Sequence, residues 1–379
     1  MGGDAVSWQY VSLANVSDVF NGKTPSRDEQ RKSGHPVLKI KDVNEFGMFK
    51  GEFESFVDNE LVKKFENKTI VENDTLILNA AHNSDYVGNK QYRAEKSVVG
   101  VLPTGEWLII RANQEKVCPL FLNYWLRASE TRSKIKDVVK GIHLYPKDVA
   151  RLQIPLPPLP EQKRIAAILD KADSLRRKRQ QAMQLADEFL RAVFLDMFGD
   201  PMFNPKNIAV LSMPECFDIT TGRLNSNASS ETGKYPFFTC AKEVFAIDEY
   251  AFDQEALLLA GNNAQADYDV KHYKGKFNAY QRTYVLTLKN KNWSYPFYKF
   301  ALEYQLQNLK RASKGTSTKY ITMEIMGRTM LPAPDADKQN EFVKFFERYQ
   351  RVNERNYKYF QESDYLFNSL SQKAFAGEL

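Results

Sequence analysis

Residues 154–175 read IPLPPLPEQKRIAAILDKADSL, a proline-rich segment that runs straight into a periodic apolar stretch. Apolar positions recur as Ile165, Ile168, Ala172, Leu175, then Ala182, Ala186, Phe189 and Val193. Steps alternating three and four residues make a heptad seam, so a long helix is predicted. Pro160 stands at its start and Gly199-Asp200-Pro201 stops it. From Glu161 to Phe198 a helix would be about 57 Å long at 1.5 Å per residue. A compact domain of its own cannot cover so long a seam, so the partner has to be found elsewhere in the chain.

A shift of 177 residues finds it. Residues 331–342, LPAPDADKQNEF, place Pro332 on Pro155, Pro334 on Pro157, Gln339 on Gln162 and Phe342 on Ile165. The same shift carries Pro119 onto Pro296, each opening an aromatic helix-like run, and Phe198 onto Phe375. Upstream the offset drifts, as loops of unequal length require: 200 for Gly22-Lys23 and Gly222-Arg223, 181 for NDTLILNA and QEALLLAG. The second seam is Phe342, Phe345, Tyr349, Val352, Tyr359, Leu366 and Leu370. Arg179 and Asn356 interrupt the two seams at matched positions. Antiparallel pairing would bring the breaks together at mid-rod, where a polar seam residue sets register.

The predicted fold class is therefore α+β: two tandem α/β regions, each followed by a long helix, with the two helices pairing as an antiparallel coiled coil. The expected boundaries are 1–157, 158–200, 201–334 and 335–379. Strands are expected at PVLKIK, DTLILN, SVVGVL and WLIIRA in the first region. In the second they are expected at YPFFT, EALLLAG, FNAYQ and TYVLTLK. Pro-rich residues 155–160 read as an extended polyproline spacer.

Composition narrows the function. At 379 residues, with 43% hydrophobic and 26% charged residues, the chain reads as two or three globular domains. It offers no run near the roughly 18 apolar residues of a membrane span. Its N-terminus lacks a basic stretch followed by an apolar core. Three scattered cysteines (Cys118, Cys216, Cys240) argue for a reducing, cytoplasmic setting. A net charge of +6 is a mild bias toward anionic partners.

Catalytic signatures are missing. There is no phosphate loop, no dinucleotide fingerprint and no Asn-Pro-Pro-aromatic loop of the kind that grips a flipped adenine. His35, His82, His143 and His272 are isolated, so no metal site is expected. Glu161-Gln162-Lys163 has the E-x-K form of a nuclease, but an acid in the first turn of a helix explains Glu161 better. The run Arg176-Arg177-Lys178-Arg179 sits in a nearly neutral helix and reads as a solvated face.

The α+β regions carry the better nucleic-acid candidates. His82 and Asn83 follow one strand, and Asn262 and Asn263 follow its counterpart. Gln281 and Arg282 precede another strand. Lys140 and His143 mark one Lys-Gly loop, and Lys314, Thr316, Ser317 and Lys319 mark the other. Amides can pair bidentately with adenine, and Arg or Lys with guanine.

This architecture resembles the specificity subunit of type I restriction-modification systems. The residues that carry the likeness are IPLPPLPEQKRIAAILDKADSL and its weaker copy LPAPDADKQNEF. The Gly-Lys and Gly-Arg turns, LLLAGNN followed by YKGKFNAYQRTYVL, and the terminal AFAGEL add to it. Asp335-Ala336-Asp337 departs from the pattern where Pro-Leu-Pro stands in the first copy. The resemblance implies a non-catalytic subunit whose two α+β regions are target recognition domains, each reading one half of a bipartite double-stranded DNA site. It implies that the coiled coil is a spacer that docks two methyltransferase (modification) subunits, joined by a motor-nuclease restriction subunit. S-adenosylmethionine, ATP and Mg²⁺ would sit on those partners, with no cofactor on this chain. A related system with a fused methyltransferase-nuclease, or a coiled-coil scaffold without DNA readout, stands as the alternative.

Overall fold

The computed structural model describes residues 8–82, 84–263 and 267–379. It divides into two compact units. One is Met1–Gln180 with Lys358–Leu379; the other is Gln181–Tyr357.

Each unit is built around a mainly antiparallel sheet. In the first unit the strand order is Ser17–Asn21, Trp107–Ala112, Thr75–Leu78, Gln91–Arg93. A second small sheet holds His35–Leu38, paired in parallel with Leu102–Pro103. In the second unit one six-stranded sheet does both jobs. It starts Phe217–Thr221, Thr283–Leu288, Phe252–Ala260, Val270–Ala279 and ends at Tyr235–Phe238 and Phe245–Ile247. The sequence repeat is thus a repeat of strand order. WLIIRA forms one strand, as its buried β-branched pattern demands. SVVGVL does not. Residues Lys96–Val98 make a 3-10 turn, and Gly100, at φ +82°, breaks the extended run before Leu102.

The proline segments are not free spacers. Gln153–Pro155 pairs antiparallel with Tyr10–Ser12, and Met330–Pro332 pairs with Val210–Ser212. Gln162 and Gln339, almost fully buried, then fasten each segment. Gln162 Oε1 accepts the Cys118 N–H (2.7 Å) at the start of helix Pro119–Arg127, while its Nε2 donates to the Pro157 carbonyl (2.8 Å). Gln339 does the same with the Ser294 N–H (2.9 Å), ahead of Tyr295–Ala312, and the Pro334 carbonyl (3.0 Å). One amide thereby ties three elements. Gln162→Leu should cost about 2–3 kcal/mol, since it strands two buried backbone groups. Denaturant unfolding checks this, and a loss below about 0.5 kcal/mol would show the clamp to be dispensable.

The long helices are Leu159–Phe198 and Ala336–Ala376. In the first unit the beginning of one runs antiparallel to the end of the other. Arg176 Nη1 donates to Asp364 Oδ1 (3.0 Å), Arg179 to the Tyr359 carbonyl, and Arg164 Nη2 to the Leu379 carbonyl (2.6 Å). In the second unit the opposite ends pair. The Tyr349 hydroxyl bonds Asp187, and the Phe194 and Phe342 rings lie 5.4 Å apart. Each unit therefore consists of one α+β region, the start of the helix that follows it and the end of the other long helix.

The buried stripe differs from the predicted seam. Ile165 and Phe342 are fully buried, and Ala172, Ala186, Val193, Tyr349 and Leu370 are half-buried. Ile168 is half-buried too, but Leu175, Ala182, Phe189, Phe345, Val352, Tyr359 and Leu366 are exposed. Burial goes instead to Leu169, Leu190, Phe194, Phe198, Phe346, Phe367 and Ala374. The reason is that each helix face serves two neighbours. Leu169 and Phe367 share a core with Phe121 and Tyr124 of the α+β region, which turns the stripe toward that region. Of the two polar breaks, Asn356 is half-buried, and the Arg179 guanidinium lies over the Tyr359 ring at 5.4 Å.

In the basic run Arg176 and Arg177 turn inward rather than forming a solvated face, while Lys178 is exposed. Asp173, 2% exposed, takes Arg176 (2.6 Å), Arg177 (2.8 Å) and Arg127 (3.3 Å). Beside it Asp170 accepts from Arg93 and the Tyr124 hydroxyl, both at 2.8 Å. These bonds lock the first helix to its α+β region.

Candidate nucleic-acid interface

In both units the Lys-Gly loop folds as a small hairpin onto the end of a central strand. The Lys140 N–H donates to the His143 carbonyl (2.9 Å), His143 bridges Ala80, and the Leu144 N–H donates to the Asn79 carbonyl (2.7 Å). In the second unit the Lys314 N–H donates to the Tyr320 carbonyl (3.1 Å), Asn262 pairs with Tyr320 and Asn263 with Lys319. The Ile321 N–H then reaches the Gly261 carbonyl (2.9 Å). Gly315, at φ +102°, makes the turn, and a Cβ there would fall 2.1 Å from the Thr318 carbonyl oxygen.

The structure thus gathers most of the candidates. His82, Lys140 and His143 are exposed around the first hairpin, and Asn83 lies outside the described residues. By hairpin pairing Ala80 is the counterpart of Asn262, so His82 stands two residues farther along. His82, Tyr86, Arg132 and Ile142 rim a cleft of about 1020 Å³. In the second unit Asn262, Gln281, Arg282 and Tyr320 line a cleft of about 520 Å³. The Arg282 carbonyl accepts the Gly261 N–H (2.9 Å), and Gln281 Nε2 is held by Asn225 Oδ1 at 2.9 Å. Thr316 and Ser317 are exposed on the hairpin, and Lys319 is half-buried.

Gly222 sets the neighbouring Gly-Arg turn, and a Cβ on it would lie 1.7 Å from the Ala279 carbonyl oxygen. Gly22 is crowded in the same way by Pro103 and Thr104. The two turns therefore fulfil one structural requirement.

Neither hairpin lysine is free. Lys140 Nζ lies 2.6 Å from Asp148, and Lys314 Nζ lies 2.8 Å from Glu324. Lys314 holds the Glu324 carboxyl below the usual carboxylate range. The sequence reading missed these acids, as it missed Tyr320 and Asn225. The available signal was an acid eight to ten residues after each Lys-Gly pair.

A family model described as "Type I restriction modification DNA specificity domain" matches residues 5–184 and 205–358. Over 82 residues, 22% of this chain and 18% of the relative, the sequence is 48% identical to the type I restriction enzyme EcoDI specificity subunit of Escherichia coli. It is 25% identical over 238 residues to the type I restriction enzyme MjaVIII specificity subunit of Methanocaldococcus jannaschii. That match takes in 60% of this chain and 51% of the relative. The chain thus spans about half the length, or less, of these curated relatives. The fold is similar to that of the crystallised type I restriction-modification S subunit from M. genitalium, with a TM-score of 0.60 at 13% identity, covering 99% of this chain and 98% of that one. With the family model covering both repeats, the chain belongs to the type I restriction-modification DNA specificity family.

Proposed function

We propose that this chain is the non-catalytic DNA-reading subunit of a type I restriction-modification complex, each compact unit contacting one half of a bipartite site in double-stranded DNA. The observation that carries this reading is the duplicated constellation: a Lys-Gly hairpin seated on a strand end, with amides and cations grouped around a cleft. Hairpins and strand ends reach a groove edge, amides and Arg read bases, and lysines neutralise phosphate. His82, Asn83, His143, Asn262, Asn263, Gln281 and Arg282 are the proposed base readers. Lys140, Lys314, Thr316, Ser317 and Lys319 are the proposed backbone contacts. The paired long helices space the two readers and dock two methyltransferase subunits, with a restriction subunit joining them in the cytoplasm. S-adenosylmethionine, ATP and Mg²⁺ belong to those partners.

Domain exchange tests the reading. Replacing residues 10–155 by the matching region of a relative should change one half-site of the methylated sequence and leave the other intact. Sequencing the methylome of cells that express the chimera with its methyltransferase reads this out. Both half-sites changing together would defeat the two-reader proposal.

A further inference from the structure

The ion pairs on the two hairpin lysines recur at matched places. Lys140 pairs with Asp148 on the short helix Pro146–Val149, and Lys314 pairs with Glu324 on Met323–Arg328. In the second unit the carboxylate bridges two cations, since its other oxygen takes Arg328 Nη2 at 2.8 Å. These side chains, with Arg311 and Asn308, line a cleft of about 560 Å³. The first unit repeats the lysine–carboxylate pair but not the second cation: Asp148 takes Lys140, while Lys134 pairs with Glu130. Lys314, Glu324 and Arg328 are all more than half exposed, and exposed pairs contribute little to folding; in the first unit Lys140 is exposed and Asp148 is 14% exposed. The repetition of the pair therefore calls for another role. A carboxylate shared by a lysine and an arginine makes the bonds that a phosphate would make.

Resting on the DNA-reading role above, we infer that Glu324, with Asp148 as its twin, is an internal phosphate mimic that competes with the DNA backbone for the hairpin lysine. A backbone phosphate that takes Lys314 must displace the carboxylate and then lie beside it, and like charges brought together carry a cost. The cost is the same on every sequence. It weakens purely electrostatic binding, so that residence depends on base contacts.

The test measures binding of the full chain to a random-sequence duplex by fluorescence anisotropy across a salt series. Wild type should bind weakly, with affinity falling as salt rises. Glu324→Gln should tighten binding about fivefold to tenfold and steepen the log–log salt slope by about one, because one more net cation faces the DNA. Asp148→Asn should act alike, and Glu324→Asp, which keeps the charge, should resemble wild type. Lys314→Ala should weaken binding. If Glu324→Gln and Asp148→Asn bind as wild type does while Lys314→Ala weakens binding, the lysine is a DNA contact but the mimic is wrong. If wild type shows no salt-dependent binding to any duplex, the DNA-reading role itself falls, and this inference with it.

Discussion

A chain ending at Tyr357 should lose the first compact unit and keep the second. The last 22 residues belong to the unit formed by Met1–Gln180, although the whole of the other unit separates them in sequence. They contribute Phe367 and Ala374 to its buried core, with Leu370, Phe375 and Leu379 packed against it. The Phe375 ring lies 5.4 Å from Phe121, and Phe367 lies 6.0 Å from Tyr124. Burying a large apolar side chain is worth about 1.5–3 kcal/mol. Losing several removes about 5 kcal/mol or more, the scale of a whole domain's stability. Hydrogen exchange read by mass spectrometry should show protection lost across residues 8–180 and retained across 181–357. Loss in the second unit instead, or undiminished protection in the first, would contradict this division of the chain.

Asp173→Asn should destabilise the first unit more than Gln162→Leu does. Its carboxylate is 2% exposed and meets three arginines. Burial pushes its pKa up, but Arg127, Arg177 and Arg176 together outweigh that and hold it below the ordinary value. Removing one partner from a buried ionic cluster typically costs about 3–5 kcal/mol, because the remaining charges lose their compensation. The pH dependence follows in sign. A group whose pKa is lower folded than unfolded contributes its full stability above the unfolded value, near 3.9 for Asp. That share is lost as pH falls through the lower folded value. Acidification below about pH 4 should therefore destabilise the wild-type first unit more steeply than the Asp173→Asn variant. Urea melts at pH 7 and pH 3 measure both effects, and equal slopes with pH would show that Asp173 does not titrate with folding.

The sequence exposed the architecture because duplication prints the same physical requirements twice. Gln162 and Gln339, Gly22 and Gly222, and the two Lys-Gly pairs were visible as matched residues before any contact was known. The helix faces were less legible. Heptad spacing identified the helices but could not say that Leu169 rather than Leu175 turns inward, because the second neighbour of each helix is a sheet-bearing region whose contacts the heptad does not encode. The arginine run misled for a related reason. Its counter-charge Asp173 lies three and four residues upstream of Arg176 and Arg177, but Arg127 comes from a helix 46 residues away. In the recognition surface the polar loop residues were nameable, yet only the hairpin pairing shows which of them share a cleft.

The interleaving of the two units also reverses the usual order of events during synthesis. The unit made of residues 181–357 is continuous, so all of its parts leave the ribosome before residue 358 does. The unit that contains the N-terminus must wait for the last 22 residues. At translation rates of about 5–20 residues per second the wait is roughly 10–40 s. Throughout it the surface destined for Phe367, Ala374 and Phe375, including Phe121, Tyr124 and Ile165, stays open to water. Nascent chains should therefore carry a chaperone-sensitive N-terminal half that matures after the half made later.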